Sequence, residues 1–131
     1  MTSKKTARLR LFAAALGLFT LFWWPASHWF YPDWYHDLMG FESYDLGFVR
    51  LIGTMGLLPV TGLFWTAWRP RESRGFLIAF AVWAAGLAAT YVFLILNGDF
   101  PPAEYANAGL LMIVVVVVLA LLPDPAPNPE E

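Results

Sequence analysis

The 131-residue sequence contains no cysteine and only four serines. The absence of cysteine excludes disulfide bonds, thiolate metal ligands, iron–sulfur ligation and a cysteine nucleophile. No serine has the sequence context of a nucleophile elbow, and no glycine-rich phosphate loop is present. We therefore predict no catalytic residue and expect no nucleic acid partner.

Charged residues are also scarce, at 14%, whereas apolar residues make up 59% and aromatic residues 18%. These proportions are typical of a protein that lies in lipid. A helix needs ~20 mostly apolar residues to cross a hydrocarbon layer of ~30 Å. Four segments meet this requirement, at about residues 9–27, 46–68, 76–96 and 106–122. The predicted fold class is an all-α, integral membrane four-helix bundle.

The fourth segment has a composition that also suits a strand, and the first segment has features of a cleaved secretory signal. Residues 114–118 are five valines, which would suit a strand, but a lone strand in lipid leaves its amides unsatisfied, so we predict a helix. The first segment follows a basic stretch, residues 1–8, as in a secretory signal. No pair of small residues lies at a cleavage position near Trp24 to Ser27, so we predict that the segment is retained. Residues 123–131 are rich in proline and acid, and we predict a disordered tail.

Charge is distributed unevenly between the connecting loops. Segments 28–45 and 97–105 carry acidic residues and no lysine or arginine. Because basic residues favour the cytoplasmic side of short loops, the pattern places both termini in the cytoplasm. Seven of the eight basic residues then face the cytoplasm: Lys4, Lys5, Arg8, Arg10, Arg69, Arg71 and Arg74.

The outer segment HWFYPDWYHDLMGFESYD contains a short helical pattern from Pro32 to a stop at Gly40. Trp34 and Leu38 share one side of this helix, opposite an acidic side, as in an amphipathic helix at the interface. Tryptophan concentrates at headgroup depth, so four residues are assigned to an interfacial belt: Trp23, Trp24, Trp29 and Trp34.

The same segment suggests two alternatives to an interfacial rim. One is a metal site with Asp33, His36 and Asp37 as ligands and Glu42 or Glu104 as a fourth. The other is axial ligation of a pigment or haem by His28 or His36. We favour the rim because only half of the repeated carboxylate and histidine element of bundle metal sites is present. No cofactor is predicted, and a metal, quinone or pigment is the alternative.

Arg50 is the one charge inside the second segment, and it requires a partner or access to the interface. Two interpretations of Arg50 are open, a transport path that starts at this residue and an interfacial salt bridge. We favour the salt bridge. A weakly polar stripe from Arg50 through Thr54 and Thr61 is predicted to face the other helices. The acids on the same predicted side of the membrane are Asp45, Glu42, Asp99 and Glu104.

Small residues indicate where helices approach each other, because lipid removes the hydrophobic drive for helix association. The predicted contact positions are Gly53, Gly56, Ala81, Ala85 and Ala89. We expect a compact bundle with little interior volume.

The stretches LRLFAAALGLFTLFWWPASHWFYPDWYHDLMGF and FVRLIGTMGLLPVTGLFWTAWRPRESR resemble small bacterial four-helix membrane proteins of the DoxX-like and BphX-like type. In these proteins a short aromatic outer loop precedes an arginine and closely spaced glycines. The resemblance covers about residues 9–95 and implies a four-helix fold in a bacterial inner membrane. It implies no catalytic residues.

The leading hypothesis is a non-enzymatic accessory or scaffold subunit that contacts lipid and other membrane proteins, or a second copy of itself. The rival is a redox, metal, quinone or pigment-binding component that uses the outer His and Asp residues. A third hypothesis is a minimal transporter with Arg50 in its path.

Overall fold

The computed structural model describes residues 3–125, and every regular element within them is helical, which confirms the predicted all-α class. The run of valines lies within a helix, as predicted. In chain order the elements are α1 (Ser3–Leu21), a π-helical turn (Phe22–Ala26), α2 (Ser27–Phe30), α3 (Pro32–Met39), α4 (Leu46–Met55), α5 (Leu57–Trp68), a 3₁₀ turn (Pro70–Glu72), α6 (Arg74–Leu96), a second 3₁₀ turn (Pro102–Glu104) and α7 (Tyr105–Leu121).

Four helical stretches in the described part of the chain are long and apolar enough to cross a membrane, which confirms the predicted number. They are Lys4–Phe30, Leu46–Trp68, Arg74–Leu96 and Pro102–Leu121. The first stretch begins earlier and ends later than the sequence suggested, so part of the basic N-terminal segment lies within the first turns of α1.

The second stretch is interrupted at Gly56, between α4 and α5. Pro59 has no N–H to donate to the carbonyl of Met55, so the regular helical hydrogen bonding fails one turn before the proline. At the start of α4, the Asp45 side chain accepts a hydrogen bond of 2.7 Å from the Phe48 amide. This is an N-terminal helix cap.

The four spans pack as two close pairs, α1 with α5 and α6 with α7, whereas α1 and α7 touch much less. The two pairs meet in one apolar core, formed by Leu9, Leu63, Leu77, Phe80, Ala81, Val114 and Val118. This core occupies the half of the bundle that contains the beginnings of α1 and α6.

Both ends of the described chain lie at that same end of the bundle, which we call the terminal end. The Lys5 ammonium is 3.9 Å from the Asp124 carboxylate, and the Arg74 guanidinium donates a hydrogen bond to the Pro123 carbonyl. Pro123 is buried, so the segment predicted to be a solvated tail begins in contact with the bundle. Residues 126–131 of that predicted tail lie outside the described residues. The opposite end, which we call the loop end, carries residues 31–45 and 97–104.

Candidate functional site

Four hydrogen-bonded side chains, which we call the polar cluster, close the loop end of the bundle. Asn107 Nδ2 donates to the Tyr35 hydroxyl over 2.9 Å and to Glu104 Oε2 over 2.6 Å. The Tyr35 hydroxyl donates to Glu104 Oε1 over 3.3 Å. The Trp23 indole Nε1 donates to Asn107 Oδ1 over 3.0 Å. The cluster thereby joins α3, α7 and the π-helical turn.

Glu104 is the acid of the cluster and is deeply buried, at 1% exposed. Within residues 3–125 no lysine or arginine forms an ion pair with it. Its two oxygens instead accept from the Tyr35 hydroxyl and the Asn107 amide, which offsets part of the cost of removing a carboxyl from water. Burial raises the pKa of the Tyr35 phenol well above its ordinary value.

Arg50 lies away from the polar cluster. Its guanidinium carbon is 5.6 Å from the centre of the Trp29 ring, and the Trp29 indole donates to the Thr54 hydroxyl over 2.9 Å. In the described part of the chain Arg50 forms no ion pair with any of the four acids predicted as possible partners, which are Glu42, Asp45, Asp99 and Glu104.

The polar stripe that begins at Arg50 was predicted to face the other helices, and this prediction is wrong. Arg50, Thr54 and Thr61 are all exposed. Each threonine hydroxyl bonds to a carbonyl of its own helix, so neither requires a polar neighbour in the bundle. The row that faces inward contains Val49, Gly53, Gly56, Val60 and Leu63.

The π-helical turn contains Trp23, Trp24 and a proline. Pro25 lies inside the turn and is buried. A proline removes one backbone hydrogen bond and leaves carbonyl groups of the preceding turn without their usual partners. The Ser27 hydroxyl is within hydrogen-bond distance of two carbonyls of the turn itself, 2.6 Å from Trp23 O and 3.1 Å from Trp24 O. The Ser27 backbone N–H bonds to the Phe22 carbonyl, five residues back, which is the hydrogen-bond pattern of a π-helix.

The short helix α3 is not divided in the way predicted, because His36 does not share the environment of Asp33 and Asp37. Tyr35, His36 and Met39 are buried, whereas Asp33 and Asp37 are exposed. His36 is thus separated from the two acids with which it was grouped. Its Nδ1 lies 2.7 Å from the Pro32 carbonyl, and its ring stacks on Tyr44 with centroids 3.9 Å apart.

The proposed metal ligands are consequently dispersed. His28 and His36 have ring centroids 5.9 Å apart and face the interior, while Asp33 accepts a hydrogen bond from Tyr44. This hydrogen bond raises the pKa of the Tyr44 phenol. Among the described residues no three His, Asp or Glu side chains are grouped to hold a metal ion.

A cavity of about 210 Å³ lies between the helix pairs on the loop-end side of the core. This corrects the expectation of little interior volume. Leu16, Phe80 and Val114 lie at its boundary with the core, and Tyr35 and Asn107 belong to the polar cluster. The other lining residues are almost all apolar or aromatic: Phe19, Thr20, Trp23, Trp24, His28, Ile52, Trp83, Leu87, Thr90, Tyr91, Leu94, Phe100, Leu110 and Leu111.

The four tryptophans assigned to an interfacial belt divide into two groups. Trp23 and Trp24 are half-buried and line the cavity, where Trp24 stacks on Trp83 with centroids 5.6 Å apart. Trp29 and Trp34 are exposed. The first two tryptophans thus contribute to the lining of the cavity.

The small residues predicted as contact positions also divide. A Cβ placed on Gly53 would lie 2.7 Å from the His28 Cβ, and one on Gly56 would lie 3.0 Å from the Pro25 ring, so these glycines permit close approach of α4 to the segment 24–29. On α6 the predicted register is wrong, since Ala85 is half-buried and Ala89 is exposed. The buried alanines are Ala81, Ala84 and Ala88.

Sequence reasoning did not identify Asn107, Tyr35 or Tyr91 as residues of a site. A signal was present for Asn107, because it is the one polar side chain in the apolar run from residue 106 to 122. An amide within a membrane helix requires a hydrogen-bond partner from another helix. The partners themselves, Tyr35 and Trp23, are 72 and 84 residues distant.

Comparison of the chain with protein-family models, with curated proteins and with solved structures gives no match. The resemblance to DoxX-like and BphX-like proteins stays a prediction.

Proposed function

We propose that this chain is an integral membrane protein that binds a small, largely apolar ring compound in the cavity at the loop end of its bundle. The observation that carries the proposal is the cavity itself, which combines aromatic walls with a fixed polar cluster at one end. Ligand sites in proteins commonly have this composition, with apolar walls and a few placed polar groups.

The volume of the cavity sets the size of the ligand. An apolar protein cavity of about 150 Å³ accepts benzene. The cavity of about 210 Å³ in this bundle is larger, which suits a compound with one ring and substituents or with two fused rings. The stacked pair Trp24 and Trp83 and the edge-on pair Trp23 and Tyr35 present ring surfaces to such a compound.

We further propose that the protein lies in a bacterial cytoplasmic membrane with both termini inside. Support comes from the separation of charge along the bundle axis. The terminal end carries seven of the eight lysines and arginines, and the loop end carries acids. In this placement α3 lies at the outer interface, and the cavity opens within the outer half of the membrane.

The test of ligand binding compares cavity-filling and surface variants of the same helix. Leu110 lines the cavity, whereas Leu119 is exposed on the outer surface of α7. Tritiated naphthalene should bind saturably, one molecule per chain, to the wild type and to Leu119→Trp in lipid nanodiscs. Leu110→Trp should weaken this binding by about tenfold or more, because the indole occupies the cavity.

Simple partition into lipid would give the same non-saturating uptake in all three samples, and that result would reject a ligand-binding function. The helical circular dichroism and gel-filtration volume of Leu110→Trp must match those of the wild type. These two controls separate loss of the cavity from loss of the fold.

A second candidate function is the accessory subunit suggested by the sequence. Its specific support is a group of exposed aromatic side chains at the loop end, Trp29, Phe30, Tyr31 and Trp34. Such a patch suits contact with another membrane protein as well as with lipid. Purification from the native membrane in a mild detergent tests it, and a stoichiometric partner lost on Trp34→Ala and Phe30→Ala would support it.

A further inference from the structure

We propose that the compound bound in the cavity carries a hydroxyl group, as a phenol or a hydroquinone does, and that this hydroxyl donates a hydrogen bond to His28 Nε2. This inference rests on the proposed function and names the chemical class of its ligand. It is carried by the hydrogen bonds around Ser27 and His28.

The first step concerns the Ser27 hydroxyl. Its oxygen is 2.6 Å from the Trp23 carbonyl, 3.1 Å from the Trp24 carbonyl and 2.9 Å from His28 Nδ1. A carbonyl oxygen can only accept, so the single hydroxyl hydrogen of Ser27 is directed to the carbonyls. The serine oxygen then has only lone pairs to offer to His28. It follows that His28 Nδ1 carries a hydrogen and donates it to Ser27.

The second step concerns the other ring nitrogen of His28. In a neutral imidazole with its hydrogen on Nδ1, Nε2 is an acceptor and cannot donate. Within residues 3–125 no side chain or backbone group bonds to it. No fully buried side-chain nitrogen or oxygen in the described chain lacks a partner, so Nε2 retains accessible surface. His28 lines the cavity, so we infer that this accessible surface of Nε2 faces the cavity.

The third step compares His28 with the other polar groups of the lining. The hydroxyls of Thr20 and Tyr91 rotate and can either donate or accept. Both hydrogens of the Asn107 amide are already used, by Tyr35 and Glu104. The indole nitrogens of Trp24 and Trp83 can only donate. His28 Nε2 is therefore the lining nitrogen that can only accept, and at its position it favours a donor over a carbonyl such as that of a quinone.

The ring of His28 is also held in position. It packs on the Tyr35 ring with centroids 4.6 Å apart, and its Cβ is opposite Gly53, where no side chain could fit. A pre-positioned acceptor contributes more to affinity than one that must be ordered on binding.

The experiment compares 2-naphthol with 2-methoxynaphthalene, which has the same ring system but no hydroxyl hydrogen. Affinities of both compounds, and of naphthalene, are measured for the wild type, His28→Phe and His36→Phe in lipid nanodiscs. His36 is a buried histidine that does not line the cavity, so it is the matched control. The ratio of the two affinities is compared between variants, which cancels the different partition of the two compounds into lipid.

The ratio of the affinity for 2-naphthol to that for 2-methoxynaphthalene should be about five- to tenfold higher in the wild type and His36→Phe than in His28→Phe, as expected for one hydrogen bond. Affinity for naphthalene should be similar in the wild type and His36→Phe. If His28→Phe does not fold, Ser27→Ala provides the second test, because it releases the Nδ1 hydrogen from its fixed position and should reduce the ratio.

Equal ratios in all variants, with naphthalene still bound saturably, would overturn the role of His28 and leave the proposed function intact. Absence of saturable naphthalene binding to the wild type would overturn both.

Discussion

Asn107 and Tyr35, 72 residues apart in the sequence, are joined by a hydrogen bond of 2.9 Å between the Asn107 amide nitrogen and the Tyr35 hydroxyl. This contact fastens the short helix α3 to α7, and both residues line the cavity. In the same cluster Asn107 also bonds Trp23 and Glu104, so one side chain on α7 holds three other segments of the chain.

Replacement of Asn107 by alanine should therefore destabilise the bundle. The change leaves the Trp23 indole and the Glu104 carboxyl short of a partner, which costs about 1–3 kcal/mol for a buried group. Thermal unfolding in detergent, followed by circular dichroism, measures the effect. Asn97→Ala is the control, because the Asn97 side chain is exposed and makes no hydrogen bond in the described residues. Equal midpoints for the two variants would show that the cluster adds nothing to stability.

Gly53→Ala and Gly109→Ala should differ although the chemical change is the same. A Cβ on Gly53 would lie 2.7 Å from the His28 Cβ, and a shift of the backbone would be needed to relieve the contact. Overpacking of this kind costs about 1–3 kcal/mol. A Cβ on Gly109 meets nothing within 4 Å, so alanine there should leave stability unchanged or raise it slightly. The unfolding midpoints provide the comparison, and a neutral Gly53→Ala would contradict the close packing of α4 on α2.

The fold was largely predictable because hydropathy over about 20 residues is a strong signal in a chain with few charges. All four spans and the short helix after Pro32 follow from local sequence. The rotation of each helix about its axis was not predictable in the same way. Lipid is as apolar as the core, so an apolar face does not show which side is buried, and the Ala81, Ala85, Ala89 register was assigned wrongly.

The site was harder to predict because its geometry depends on an irregular element. The interfacial assignment of Trp23 and Trp24 rested on their position at the end of the first apolar segment. Local sequence did not predict the π-helical turn around Pro25 in which both residues lie. The sequence suggested His28 as a candidate metal or pigment ligand, but its contacts with Ser27, Tyr35 and Gly53 emerged only from the packing of α2 on α3 and α4.

The stability of the protein should decrease at alkaline pH in a manner that depends on Tyr35. Burial raises the pKa of the Tyr35 phenol in the folded protein, while in the unfolded chain it ionises near its ordinary value of about 10. Above that pH the unfolded state has lost a proton that the folded state retains, so unfolding becomes more favourable as the pH rises. The contribution is fully present below about pH 10 and declines by at most about 1.4 kcal/mol per pH unit above it.

Unfolding midpoints of the wild type and Tyr35→Phe between pH 8 and 11 test this expectation. The variant begins at a lower midpoint because it lacks the hydrogen bonds to Glu104 and Asn107, but its midpoint should fall less steeply with pH. Parallel curves would mean that Tyr35 ionises equally easily in both states.

The absence of cysteine makes the orientation of the chain directly testable, because any introduced cysteine is the only thiol in the protein. Glu42 is exposed at the loop end, and Arg71 is exposed in the turn between the second and third spans. In intact bacterial cells a membrane-impermeant maleimide should label Glu42→Cys, while Arg71→Cys should react only after the cytoplasmic membrane is opened.

The expected orientation follows from the unequal distribution of basic residues between the two ends of the bundle. The seven lysines and arginines at the terminal end favour the cytoplasmic side of the membrane. The loop end has acids but no lysine or arginine that would compete for that side. Arg71→Cys removes one of seven charges and should not reverse the orientation. The reverse labelling pattern would place the cavity in the cytoplasmic half of the membrane, where a ligand would enter from inside the cell.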